Sequence, residues 1–140
     1  MNFTQSISTC MRKYVTFSGR ATRSEFWWVC LFSVLINLAT TSQAPSFVPV
    51  LLETQDMTAH ESSYFLNNFF FLYLSTITSL ILLLPSLAVA VRRLHDIGRS
   101  GWWILIGFTV IGIIPLIIWY VTDTKDEENV YGPNPKTEDN

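Results

Sequence analysis

Eight polar residues carry what chemistry this chain offers, and they fall in two groups. Arg20, Arg23 and Glu25 come early; Arg92, Arg93, His95, Asp96 and Arg99 come late. Five arginines against two carboxylates leave a local excess of +3 with His95 neutral. Guanidinium forks pair bidentately with phosphate, so the group fits an anion site such as a lipid headgroup. All five cations are Arg rather than Lys, and Arg is preferred where planar, paired recognition matters. Asp96 stands four residues after Arg92 and three before Arg99, so a folded polar cluster is within helical reach. A nucleophile–base pair is a poor fit. His95 and Asp96 are adjacent, so a helix points them in different directions, and Ser100 is better used as a cap. No catalytic residues, metal ligands or cofactor follow from this pattern. The other histidine, His60, is expected on the far side of a membrane, and no Cys/His spacing resembles a zinc site.

The elements that must position these groups are membrane helices. Hydrophobic residues make up 49% of the chain and charged ones 14%, well below the roughly 25% of a soluble domain. The near-neutral formal charge of −2 argues against nucleic acid as a partner. Cys10 and Cys30 form no natural disulfide framework. The 140 residues read as one membrane domain. Residues 1–24 form a cytoplasmic lead-in, 25–41 a first span and 42–64 an outer loop. Residues 65–91 form a second span, 92–101 a cytoplasmic loop, 102–122 a third span and 123–140 a polar tail. The fold class is therefore all-α, with three transmembrane helices and a short N-terminal amphipathic segment.

Each boundary has a physical reason. The first apolar run is near the lower limit of the ~17–25 residues that cross a bilayer. Ser42-Gln43-Ala44 resembles a signal-peptidase site, but Pro45 would follow the cut and two more apolar runs lie downstream, so a retained span is expected. The second run exceeds the need, and tilt or an interfacial Asn67 and Asn68 absorbs the excess. Pro85 removes a backbone donor and should kink it. Gly107, Gly112 and Pro115 interrupt the third run. It reads as a kinked single span, with a re-entrant hairpin as the alternative that would move the tail across. Gly98 should stop the second helix and Ser100 should cap the next. Trp27, Trp102 and Trp103 suit an interfacial belt. In the lead-in, Phe3, Ile7, Met11 and Tyr14 recur at helical spacing, as in a helix lying on a membrane surface.

Lys and Arg set the orientation. The lead-in and the loop 92–101 hold seven, residues 42–64 hold none and the tail holds two. A cytoplasmic N-terminus and an outer tail follow. The same rule accounts for much of the arginine cluster without any ligand, since basic residues must stand on the cytoplasmic side. Helix-end electrostatics account for more: Glu25 suits a helix start, and Arg92 and Arg93 a helix end. No Asp, Glu, Lys, Arg or His lies deep in a span, where proton and ion pathways usually show them.

At these residues the chain resembles a family of small bacterial membrane proteins, domain of unknown function 805. Three blocks carry the resemblance. They are Phe17-Ser18-Gly19-Arg20-Ala21-Thr22-Arg23-Ser24-Glu25-Phe26-Trp27; Pro85 through Arg92-Arg93-Leu94-His95-Asp96 to Arg99-Ser100-Gly101-Trp102-Trp103; and Glu128-Asn129-Val130-Tyr131-Gly132-Pro133-Asn134-Pro135. Val130 stands where the family usually has Arg, and Asn134 where it usually has Asp. The resemblance implies a multi-pass protein of the bacterial inner membrane and supplies no activity, substrate or cofactor. The expected role is non-enzymatic: binding anionic lipid or a partner protein, or a second copy of itself, through the cytoplasmic cluster. The alternative is a subunit of a transport or export assembly.

Overall fold

The computed structural model describes residues 1–41, 59–124 and 128–136, and of 59–65 the backbone only. Residues 42–64, expected as the outer loop with the Ser42-Gln43-Ala44 site and His60, lie outside the described side chains. The chain forms α1 (Phe3–Arg12), α2 (Arg23–Thr41), α3 (Ala59–Asp96), a 3-10 segment (Gly101–Phe108), α4 (Val110–Val121) and a two-stranded ribbon, β1 (Glu128–Asn129) and β2 (Gly132–Pro133). Two compact units result: residues 1–32 with 83–140, and residues 33–82.

In the second unit, α2 and α3 expose apolar side chains: Val34, Leu35 and Leu38 on one, Leu66, Phe70, Tyr73 and Leu80 on the other. Each of these two helices is long and apolar enough to cross a membrane. Their hydroxyl-bearing residues bond backward along the helix. Thr76 Oγ1 donates to Leu72 O at 2.8 Å and Thr78 Oγ1 to Leu74 O at 2.7 Å, which satisfies polar groups where water is absent. Ser79 Oγ pairs with Asn37 Oδ1 at 2.6 Å.

The first unit holds the polar residues of interest. Asn2 and Gln5 form a capping box that starts α1. This helix is docked on the protein rather than lying free. Phe3 packs edge-on against Trp28 and Phe32, and the Cys10 thiol donates to the Pro85 carbonyl at 3.8 Å. The buried stripe is Ser6 and Cys10, while Met11 of the expected apolar stripe is exposed. Small residues at that stripe let α1 approach closely. Burial pushes the Cys10 thiol up to about 11.

The expected stop of the second helix at Gly98 is met, while the third apolar run departs from the expected kinked span. First, α3 runs on past the apolar residues that end at 91. It continues through Arg92, Arg93 and His95 to Asp96 and stops in a Schellman motif, with Arg99 N donating to Leu94 O at 2.9 Å and Gly98 N to His95 O at 3.0 Å. Gly98 sits at φ +72, the left-handed position this motif requires. At 38 residues α3 spans roughly 57 Å, nearly twice a ~30 Å hydrocarbon core. It is therefore longer than such a layer is thick.

Second, the third apolar run is not a kinked through-going span. It is a hairpin whose two ends meet beside the end of α3. Ser100 caps the 3-10 segment at Trp102 N. Thr109 then adopts an extended conformation (φ −101, ψ 138) and caps α4 by accepting from Gly112 N at 3.0 Å. A Cβ on Gly112 would lie 2.0 Å from Ile106 O, so the apex closes only around glycine. The return arm ends with Tyr120 and Thr122 carbonyls accepting from Arg93. The outgoing arm is about 16 Å long and α4 about 18 Å, each near half of a ~30 Å core. The apex residues Phe108, Val110 and Ile111 are 84–88% exposed. The interruption by Gly107 and Gly112 was legible in the sequence, but its outcome is a turn rather than a kink. The tail consequently returns to the arginine cluster.

Candidate functional site

The site grows from the end of α3. Arg92, Arg93 and Asp96 occupy its last two turns, and all three are buried. Asp96 receives Arg20 Nε on Oδ1 at 2.9 Å, and on Oδ2 it accepts from Arg93 Nη1 and the Thr124 hydroxyl. Arg20 also donates to the carbonyls of Asp96 (3.3 Å) and Gly132 (3.0 Å). Arg93 spends its remaining donors on the Tyr120, Thr122 and Ala21 carbonyls. One carboxylate thus joins four segments: the turn before α2, the end of α3, the residues after α4 and the tail ribbon.

A second buried pair lies alongside. Arg92 Nη1 approaches Glu25 Oε1 at 2.9 Å, with side-chain exposures of 0% and 4%. The approach is off the hydrogen-bond direction, and Arg92 Nε and Nη2 have no hydrogen-bond partner among the described residues. Ala21 N donates to Arg92 O at 3.1 Å, tying the start of α2 to α3. Phe26 stacks on Tyr120 at 4.4 Å beneath this pair.

The tail covers the outer edge. Asn129 Nδ2 donates to His95 O at 2.9 Å, a second donor on the carbonyl that already accepts from Gly98 N. Tyr131 stacks flat on His95, with ring centroids 3.9 Å apart, and His95 Nδ1 donates to Gly19 O at 3.3 Å. Val130 is 89% exposed. A side chain at this position therefore stands clear of the buried network.

The eight residues thus separate. Arg20, Glu25, Arg92, Arg93 and Asp96 are drawn together and buried; His95 is partly covered by the tail. Arg23 and Arg99 stay at the surface. Arg99 lies over the Trp119 ring at 4.9 Å, a cation–π contact. Arg23 meets Asp123 at 3.0 Å, and Asp123 in turn meets Lys136 at 2.6 Å. The Lys136 ammonium, with Arg23 behind it, holds the Asp123 carboxyl below its usual range. Arg23, Lys136, Thr22, Ser24 and Trp27 line an open pocket of about 660 Å³ at the start of α2. Trp102 and Trp103 are exposed, the latter edge-on to Trp119.

Sequence reasoning missed Tyr120, Thr122, Asp123, Thr124, Asn129, Gly132 and Lys136. Their signal was available in part. Carbonyls at a helix end can take further donors, and the Asn129 block contains an amide that reaches two of them.

The family model described as Protein of unknown function (DUF805) matches residues 14–133, a range that includes every member of the buried network. The Escherichia coli (strain K12) inner membrane protein YhaI is 32% identical over 127 residues, covering 90% of this chain and 91% of that protein. The inner membrane protein YhaH of the same organism is 34% identical over 130 residues, covering 91% and 93%. No solved structure matches the chain significantly. With two helices apolar enough to cross a bilayer and a family match over most of its length, the chain is a membrane protein of the DUF805 family, whose function is unknown.

Proposed function

We propose that this is a non-enzymatic, multi-pass protein of the bacterial inner membrane that binds anionic lipid headgroups at its cytoplasmic surface. The observation that carries the reading is the division of labour among the cations. Arg20, Arg92 and Arg93 face carboxylates or backbone carbonyls inside the protein, whereas Arg23 and Lys136 are half-exposed in an open polar pocket beside Trp27. Arg12, Lys13 and Arg99 add exposed positive charge. The headgroup site is therefore smaller than the eight-residue cluster and displaced from it.

Orientation belongs to the same reading. With the third run folded back, all nine Lys and Arg of the chain fall on segments assigned to the cytoplasm, and none falls in residues 42–64. This accords with the positive-inside rule more fully than an outer tail does. In a background lacking Cys10 and Cys30, Gln55→Cys should react with an impermeant maleimide on intact cells. Ile97→Cys and Val130→Cys should react only after permeabilisation. Labelling of Val130→Cys on intact cells would put the tail outside.

Lipid binding has a direct test. Protein purified in mild detergent should retain phosphatidylglycerol or cardiolipin over phosphatidylethanolamine. Arg23→Gln with Lys136→Gln should reduce that preference, since each near-surface cation contributes about 1 kcal/mol. Asp123→Asn should raise it, because the carboxylate that neutralises both cations is gone. Unchanged preference in both variants would leave positive-inside topology as the whole explanation for the exposed charge.

A further inference from the structure

We infer that the groove between the end of α3 and the 3-10 segment is a binding site for one phospholipid acyl chain. The groove has a volume of about 670 Å³, within the roughly 300–1,000 Å³ of small-ligand sites. Leu87 and Val91 form one wall, on the α3 face that His95 continues; Leu105 and Phe108 belong to the other. Polar groups are confined to one end, where His95, Ser100 and Tyr131 gather. That end lies at the buried charge network, and the apolar end lies toward the exposed hairpin apex. The polarity is that of an amphiphile lying head-outward in one leaflet.

The shape selects a single chain over a partner helix. The walls are joined by the short turn 97–100. They pinch together at Gly101, where an added Cβ would lie 2.6 Å from Val91 Cγ1. A helix is about 10–12 Å across with its side chains, so one as long as the outgoing arm would need more than about 1,000 Å³, and the groove offers about 670 Å³. A hydrocarbon chain fits. The outgoing arm is about 16 Å long, near the depth of one leaflet's acyl layer. The ribbon residue Tyr131, held on His95, closes the head end. This site shares no residue with the Arg23–Lys136 pocket, and its occupant is chosen by its hydrocarbon chain rather than by headgroup charge.

Native mass spectrometry of the detergent-purified protein tests it. The wild type should carry one intact phospholipid that survives delipidation, whatever its headgroup class. Leu105→Trp fills the groove and should lower that occupancy about tenfold, the equivalent of 1.4 kcal/mol. Leu87→Trp, on the opposite wall, should do the same and stands in if the first variant fails to fold. Ile114→Trp, also exposed but outside the groove, should retain the lipid, as should Arg23→Gln with Lys136→Gln. A wild type without bound phospholipid overturns the proposal. So does equal occupancy in the Leu105 and Ile114 variants, or a retained mass that matches a free fatty acid or a second polypeptide. Loss of anionic preference with the bound chain intact separates this site from the headgroup site.

Discussion

Asp96→Asn is expected to destabilise the protein in detergent by about 3–5 kcal/mol, the usual consequence of removing one partner from a buried ion pair. Asp96 is 1% exposed and is the carboxylate that Arg20 and Arg93 share. The amide keeps the shape and part of the hydrogen bonding but removes the negative charge. Two buried guanidinium groups then lack their counter-charge. The damage should spread beyond the helix, because the network also holds Thr122, Thr124 and Gly132. Limited proteolysis of the tail should accelerate in step with the loss of stability. Thr124→Val removes one hydroxyl donor and should cost less, about 1–3 kcal/mol. A midpoint for Asp96→Asn within about 0.5 kcal/mol of wild type, the range of ordinary surface changes, would mean that the network does not hold these segments.

The second large effect concerns Glu25 and Arg92. Each single change, Glu25→Gln or Arg92→Gln, should cost about 3–5 kcal/mol by leaving the other charge buried. The double variant should cost clearly less than the sum, with a coupling of roughly 0.5–3 kcal/mol. Arg93→Gln should be nearly additive with Glu25→Gln, because Arg93 is committed to Asp96 and to carbonyls after α4. The apolar pair Glu25→Leu with Arg92→Met should recover most of the loss, since desolvation opposes a buried ion pair and Arg92 is imperfectly hydrogen-bonded here. Additivity of Glu25 with Arg92 would sink the pairing, and coupling of Glu25 to Arg93 instead would redraw the network.

Much of this was readable from local rules. Apolar run length marked α2 and α3, because a bilayer sets a length that few soluble helices reach. Gly98 and Ser100 announced the Schellman stop and the next cap, because φ > 0 and an N-cap acceptor each favour particular residue types. Arginine density near residues 20 and 92 announced a polar cluster.

What the sequence determined by itself is thus the set of apolar elements, their ends and the presence of charges at one face, all properties of neighbouring residues. The tertiary structure alone decided three things. It chose Arg92 over Arg93 for Glu25, because adjacent helical residues point about 100° apart and packing fixes which one meets α2. It turned residues 101–121 back on themselves, because two weak breakers can bend a helix or reverse it, and the carbonyls awaiting Arg93 favour reversal. It brought the tail onto the cluster, because the Asn129 amide and the Gly132 carbonyl meet partners at the end of α3 and on Arg20, all more than thirty residues away in the chain.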